Sequence, residues 1–231
     1  MTVDTVAILF DIDGTLITTG GAGAVAWRMA FEDLYGIPAD IGAFTDAGMT
    51  DPEVGRLTFT AVLEREPTPR ELARVLAKRQ EHLPQAVAEA PNYRVLEGVE
   101  ELLPRLADQG FLLGLTTGGT EAAAAIKLMR ANLLRWFPFG GYGSDSTNRT
   151  ELTKVAIKRA GKLIGEHLDP ESCLVVGDTP KDIQAARGAG AISVGVASGH
   201  YSVEELEATG ADCVIASLRD ELPIHLAEAV A

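Results

Sequence analysis

Short, unbroken apolar runs that stop abruptly at polar or acidic residues recur along the chain. Residues 6–10 (Val-Ala-Ile-Leu-Phe) stop at Asp11, 111–115 (Phe-Leu-Leu-Gly-Leu) at Thr116-Thr117, and 173–176 (Cys-Leu-Val-Val) at Gly177-Asp178. Continuous runs of this length fit strands covered on both faces, as in a parallel sheet between helices. Two further candidates lie at 192–196 and 213–215. Helical patterns separate them. Residues 121–134 are rich in alanine and leucine, and 151–164 set Leu152, Val155, Ala156, Ile157 and Ala160 on one side. Residues 180–187 open with proline, which is at home in the first helical turn. Strands alternating with helices predict a doubly wound α/β fold with a parallel, Rossmann-like sheet.

Residues 16–93 break that rhythm. They carry helical signals at 24–35, 52–66 and 69–89 but no convincing buried strand. Thr68-Pro69-Arg70-Glu71 has the form of a helix start: threonine as cap, proline in the first turn, glutamate three residues on. A helical block between the first and second strands predicts an inserted domain, with residues 1–15 and 94–231 forming the α/β core and 16–93 the insert. No internal repeat of 20–50 residues is visible.

Composition narrows the functional classes. Of 231 residues 46% are hydrophobic, and the 24 Gly and 11 Pro are dispersed, which excludes disorder and collagen-like chains. Lys and Arg number 20 against 33 Asp and Glu, a net charge of −13. That balance argues against a nucleic-acid partner, whose backbone is bound through lysine and arginine, but leaves small phosphorylated ligands open. Cys173 and Cys213 are too few for a disulfide framework or a four-cysteine zinc site, and each sits in an apolar run. His82, His167, His200 and His225 show no paired ligand spacing. Residues 1–10 carry Asp4 and no Lys or Arg, unlike a secretory signal, and no stretch approaches the ~18 apolar residues of a membrane span. The expectation is a soluble, cytoplasmic protein without a membrane partner, monomeric or homodimeric.

The chemistry gathers where the predicted strands end. In open α/β sheets ligands bind beyond the carboxyl ends of the strands. Those positions hold Asp11-Ile12-Asp13-Gly14-Thr15, Thr116-Thr117-Gly118-Gly119 and Gly177-Asp178-Thr179-Pro180-Lys181-Asp182. One aspartate after a strand is commonly a helix cap or a turn. Four of them (Asp11, Asp13, Asp178 and Asp182) on one rim repel one another unless a cation sits among them. Carboxylates with a backbone carbonyl and water are the ligand set that Mg²⁺ prefers.

The string Phe10-Asp11-Ile12-Asp13-Gly14-Thr15-Leu16, with Val176-Gly177-Asp178-Thr179-Pro180-Lys181-Asp182 downstream, resembles the haloacid dehalogenase-like hydrolase superfamily, in its phosphoglycolate phosphatase-like branch. The order and spacing cover nearly the whole chain, and the helical insert resembles that branch's mobile cap. The resemblance implies a Mg²⁺-dependent phosphatase. Asp11 would be the nucleophile, forming an aspartyl-phosphate. Asp13 would be the general acid–base, which needs a carboxyl able to hold a proton near neutral pH. Gly14 would allow a tight turn and Thr15 would hold it by hydrogen bonds, close to the substrate. The metal would take the Asp11 carboxylate, the Asp13 carbonyl and Asp178, supported by Asp182. Thr117, better matched to the family pattern than Thr116, would hydrogen-bond the phosphoryl group, with Gly118 offering its N–H. Both threonines could instead merely cap the helix at Glu121. Gly119 stands where the family has a polar amide.

The family's charge-compensating lysine has no plain counterpart. Arg149 occupies its usual place before a predicted helix, and Lys154 is the second candidate. Gly48-Met49-Thr50-Asp51 resembles a cap loop that faces the active site, with Thr50 contacting substrate; it reads equally as a helix N-cap at Asp51, with Pro52 following. Gly20-Gly21-Ala22-Gly23 lacks the Gly-Lys-Ser/Thr ending of a phosphate loop and reads as a hinge or helix entry. Several reactions share the scaffold. A dehalogenase needs neither the metal nor Asp13, and a phosphonoacetaldehyde-type hydrolase needs a cap lysine, for which the insert offers only Lys78. A phosphosugar mutase stays open, and a silent binding protein would have lost Asp11 or Asp13. The expected substrate is a small phosphorylated metabolite such as 2-phosphoglycolate.

Overall fold

The computed structural model describes residues 6–228, so Asp4 lies outside the described residues. Six parallel strands form the central sheet: β1 (Ala7–Phe10), β4 (Leu112–Thr117), β5 (Gly140–Tyr142), β6 (Cys173–Gly177), β7 (Ile192–Val196) and β8 (Cys213–Ile215), in the order β5-β4-β1-β6-β7-β8. Strand β1 is central, with Phe10 in register with Leu115 of β4 and Val176 of β6. Its side chains alternate between two cores. Ile8 and Phe10 join Val99, Leu103, Leu128 and Val176 on one face; Ala7 and Leu9 join Ala156, Ala160, Val175 and Ala186 on the other. A strand buried on both faces has no polar position to spare, so the first polar residue comes at its end.

Helices α4 (Val99–Asp108) and α5 (Glu121–Arg130) cover the first face, and α6 (Arg149–Ile164) and α7 (Pro180–Ala189) the second. Short helices α8 (Val203–Glu207) and α9 (His225–Glu228) complete the core. Between β1 and β4 the chain makes α1 (Ala22–Tyr35), α2 (Asp51–Leu63) and α3 (Pro69–Glu89), entered and left through a two-stranded antiparallel ribbon of β2 (Ile17–Thr18) and β3 (Arg94–Val95). The helix start at Thr68 is a full capping box with Glu71. Trp27, Phe31, Val54, Phe59 and Val75 give the three helices a core of their own, in which Tyr35 meets Phe59 edge to face at 5.4 Å. The block also leans on the sheet domain, where Leu83 and Val87 of α3 cluster with Ala123 of α5. Among the described residues no helix is long and apolar enough to cross a membrane.

The structure adjusts several predicted elements. The helix expected over 121–134 stops at Arg130, and Asn132 turns the chain with φ of 56°. Strand β5 escaped the hydrophobic pattern because it is Gly-Gly-Tyr: a Cβ on Gly141 would lie 1.9 Å from the Leu152 carbonyl of α6, so side chains are excluded there. Strands β2 and β3 are too short to leave a periodic signal. Helix α4 was not anticipated although Val99, Leu102, Leu103 and Leu106 line one face, because Pro104 interrupts its pattern. The double glycine at 20–21 is the entry to α1, with Gly21 at its N-cap and φ of 91°.

Candidate active site

The rim loops converge on the carboxyl edge of β1, β4 and β6. Asp11 follows β1 and is buried; its N–H donates to the Val176 carbonyl at 2.9 Å, which fixes the chain as it leaves the sheet. The turn beyond it needs glycine. Gly14 has φ of 88°, and a Cβ there would lie 2.2 Å from Asp178 Oδ2. Thr15, fully buried behind the turn, donates from Oγ1 to Asp178 Oδ1 at 3.1 Å. Thr15 therefore does not reach the cavity as a substrate contact; it orients Asp178. Asp182 lies on the first turn of α7, where it forms a capping box with Thr179, and is buried as deeply as Asp178.

One oxygen from each of Asp11, Asp178 and Asp182 falls within 4.8 Å of the others, a group able to hold a metal ion. The side chain of Asp13 is outside this group. It is 43% exposed and forms an ion pair with Lys127 of α5. Arg149, at the start of α6, supplies the counter-charge inside the group. It donates from Nη2 to Asp11 Oδ1 at 3.2 Å and pairs with Asp182, while Nη1 reaches the Gly48 carbonyl at 3.0 Å. Lys154 is elsewhere, pairing with Glu151 at 2.9 Å on the solvent face of α6.

Three buried acids and one guanidinium leave an excess of negative charge, and Asp11 and Asp178 respond by holding their protons more tightly. Burial, reinforced by Asp182 and opposed by Arg149, pushes Asp11 well above the ordinary carboxylate range. Burial and Asp182 push Asp178 up to about 7, against the hydrogen bond from Thr15. A divalent cation suits this donor set: hard oxygen ligands, crowded, with more negative charge than the protein itself neutralises.

Asp11 and Asp178 open into a cavity of about 420 Å³ that Asp13, Thr117, Gly118, Lys127 and Arg149 also help to line, with Asp182 behind it. Thr117 ends β4 on the cavity side, whereas Thr116 points away and bonds Thr153 of α6 at 2.9 Å. Neither caps α5; that role falls to Thr120, which accepts from the Ala123 N–H at 3.2 Å. The loop 47–51 closes the cavity from the helical block. Lys181 Nζ donates to the Ala47 carbonyl at 2.9 Å, and the Asp51 N–H donates to the Gly118 carbonyl at 2.7 Å. A Cβ on Gly118 would strike the Met49 carbonyl at 2.4 Å, so this glycine lets the loop in. Thr50 departs from the expectation. It is the N-cap position of α2, fully buried and outside the cavity lining, with its hydroxyl unpartnered. Asp51 lines the cavity instead, accepting from Arg79 at 2.9 Å and from the Thr120 N–H at 2.9 Å.

Sequence reasoning placed Asp51 in a loop facing the site but gave the contact to Thr50, and it missed Gly199 and Lys127. A Cβ on Gly199 would fall 1.8 Å from Asp178 Oδ2, so this glycine and Gly14 together make room for the carboxylate. Lys127 left a trace that could have been read: it is buried at the same helical spacing as Ala123, Ala124 and Leu128. A lysine on the apolar stripe of a helix needs an anionic partner.

Fold and site together define a parallel α/β enzyme whose acids gather at the carboxyl edge of the sheet. Residues 5–190 match the family described as haloacid dehalogenase-like hydrolase, and the chain belongs to that family. It is 27% identical to a phosphoglycolate phosphatase of Salmonella paratyphi A, over 94% of this chain and 90% of that protein. Among solved structures it resembles a hydrolase from Pseudomonas syringae, with TM-score 0.70 and 25% identity over 93% of this chain and 94% of the other. It also resembles a β-phosphoglucomutase from Clostridium difficile, with TM-score 0.73 and 19% identity over 98% of both chains; that likeness concerns the fold.

Proposed function

We propose that this phosphoric monoester hydrolase cleaves a small phosphorylated metabolite, 2-phosphoglycolate being the first candidate, through an aspartyl-phosphate on Asp11. The observation that carries the reading is the triplet of buried carboxylates within 4.8 Å, two of them (Asp11 and Asp182) bridged by Arg149 and two (Asp11 and Asp178) lining one cavity. Residues 16–93 serve as the cap over a core of 1–15 and 94–231.

In this reading an oxygen of Asp11 attacks phosphorus and the ester oxygen leaves. Asp13, two residues on and facing the same cavity, gives that oxygen its proton and then takes one from the water that attacks the aspartyl-phosphate. Arg149 holds the Asp11 carboxylate in place and opposes the burial that favours its protonated form. The Thr117 hydroxyl and Gly118 N–H bind the oxygens of the phosphoryl group. The loop 47–51 excludes bulk water while the acyl phosphate exists. Mg²⁺ would be held by Asp11, Asp178 and the Asp13 carbonyl, with Asp182 in support, and when bound it would neutralise charge on the phosphoryl oxygens. The relative from Salmonella paratyphi A supports 2-phosphoglycolate as the compound to try first.

The test is phosphate release from 2-phosphoglycolate by the purified protein with Mg²⁺ and with EDTA. Release that needs Mg²⁺, and a fall of about 10²–10⁴ in kcat for Asp13→Asn, are expected. Undiminished turnover in EDTA, or an Asp13→Asn variant at the wild-type rate, would overturn the assignment.

A further inference from the structure

The segment 143–148, between β5 and α6, contributes no residue to the cavity lining, yet it touches two parts of the site at once. At its start the Gly143 N–H donates to the Gly119 carbonyl at 2.8 Å, and a Cβ on Gly143 would lie 2.0 Å from the Gly118 carbonyl. Its backbone is therefore pressed against the turn that follows Thr117. At its end Asn148 caps α6, accepting from the Thr150 N–H at 2.9 Å, and Arg149 comes next. One short segment thus sets the place of both Gly118 and Arg149.

A clamp outside the cavity holds that segment. Strand β5 lies at the edge of the sheet, and successive residues of a strand turn their backbone groups to opposite sides. The Phe139 carbonyl accepts from the Leu115 N–H, and Gly143 donates to Gly119, so Gly140 and Tyr142 turn theirs away from β4. Arg159, later in α6, donates from Nη1 to the Gly140 carbonyl at 2.6 Å. Its two terminal nitrogens also take both oxygens of Asp145, at 2.6 and 2.8 Å. Asp145 Oδ2 in turn accepts from the Tyr142 N–H at 3.0 Å. A lone exposed ion pair does little. A bidentate pair that also occupies two backbone groups of an edge strand fixes geometry. The first turn of α6 is tied from the other side as well: the Thr153 hydroxyl donates to the Arg149 carbonyl at 2.9 Å and so accepts its bond from Thr116 of β4.

We propose that Asp145 and Arg159 are positioning residues for phosphoryl transfer: their clamp on β5 keeps Gly118 and Arg149 in register across the cavity. The inference rests on the phosphatase reading and adds two residues that act only through others, since neither lines the cavity. Release of the clamp frees 143–148 to drift, and with it the turn that holds the phosphoryl oxygens and the helix start that holds Asp11. A displacement of about 1 Å between reacting groups is enough to cost about 10²-fold in rate.

The test is steady-state kinetics with Mg²⁺ on 2-phosphoglycolate and p-nitrophenyl phosphate, at a temperature where circular dichroism shows each protein folded. Asp145→Ala and Arg159→Met should each lower kcat by about 10–100-fold. The double variant should be no slower than the slower single, because both changes break one clamp. Orthovanadate, which adopts the five-coordinate geometry of the transferring group, should inhibit each variant more weakly by a similar factor. That inhibition constant does not depend on how much of the protein is folded, so a clamp serving stability alone leaves it unchanged. Arg159→Lys keeps the charge but cannot span both Asp145 and Gly140, and should fall between wild type and Arg159→Met in both readouts. If Asp145→Ala or Arg159→Met fails to fold, Arg159→Lys decides by the same two readouts. Folded variants with wild-type kcat, or with reduced kcat and wild-type vanadate inhibition, would overturn the inference while sparing the phosphatase reading. A wild-type protein that cleaves neither ester would remove that reading, and the inference with it.

Discussion

Replacing Arg149 by methionine keeps most of its volume and removes its charge, which isolates the electrostatic part of the account. In wild type the guanidinium touches both Asp11 and Asp182, and the three acids crowd within 4.8 Å. At a separation of about 5 Å and an effective dielectric near 20, each pair of like charges costs roughly 3 kcal/mol. Removing one partner from a buried ion pair typically destabilises by about 3–5 kcal/mol. In a domain of this size each kcal/mol shifts Tm by roughly 2–4 °C, so metal-free Arg149→Met should melt about 10 °C below wild type near pH 8. Two rescues should follow. Near pH 5 the Asp178 carboxyl, held up at about 7, is protonated and the deficit should shrink. Added Mg²⁺ should restore stability but not turnover, because Arg149 also holds Asp11. The control is Lys154→Met, whose exposed pair with Glu151 is worth well under ~1 kcal/mol. Differential scanning calorimetry with and without EDTA reads all of this. An Arg149→Met protein that melts with wild type, metal-free near pH 8, would refute the charge argument.

Two other outcomes rest on the same cluster. Asp178 titrates at about 7 in the fold, against roughly 4 for a carboxyl in an unfolded chain. The metal-free fold therefore binds the extra proton between those values, and this contribution to stability, fully present below about pH 4, is lost as pH rises through about 7. Because Mg²⁺ must displace that proton, its stabilising shift in Tm should be larger near pH 8 than near pH 5.5; equal shifts would contradict the assignment of Asp178 as a ligand. Gly199→Ala would put a Cβ 1.8 Å from Asp178 Oδ2. It should weaken Mg²⁺ binding by about 10–100-fold, as displacing a ligand's support does, and titration calorimetry would expose unchanged affinity.

How much of this was legible beforehand follows from where the physics is local. The buried strands announce themselves because a chain covered on both faces has nowhere to put a polar side chain, so Asp11 and Asp178 mark the ends of β1 and β6. The Thr68 helix start was equally plain, since its cap and glutamate sit three residues apart. Strand β5 was not, because close approach of α6 demands glycine where a strand usually has branched residues. Among the rim side chains, the difference between Thr116 and Thr117 came down to the two-residue alternation of a strand, which register alone decides. Thr15 and Thr50 were misplaced as substrate contacts for a related reason: a polar residue near a site serves the site's carboxylates or the backbone as readily as a ligand. The helical stripe marks Lys127 as buried but not its partner: Lys127 and Asp51 make contacts across 114 and 69 positions of sequence, to Asp13 and to Thr120, and the identity of such a partner has no signature in a linear string.

The central claim is that Asp11 becomes phosphorylated during turnover. Acid-quenched enzyme, caught milliseconds after mixing with 2-phosphoglycolate and Mg²⁺, can be digested and its peptides weighed. The account predicts one added phosphoryl group on the peptide containing Asp11 in wild type, accumulating further in Asp13→Asn if the ester is activated enough to leave unaided, and none in Asp11→Asn. A fully active enzyme with no phosphorylated peptide under these conditions, or with the group on another residue, would contradict it.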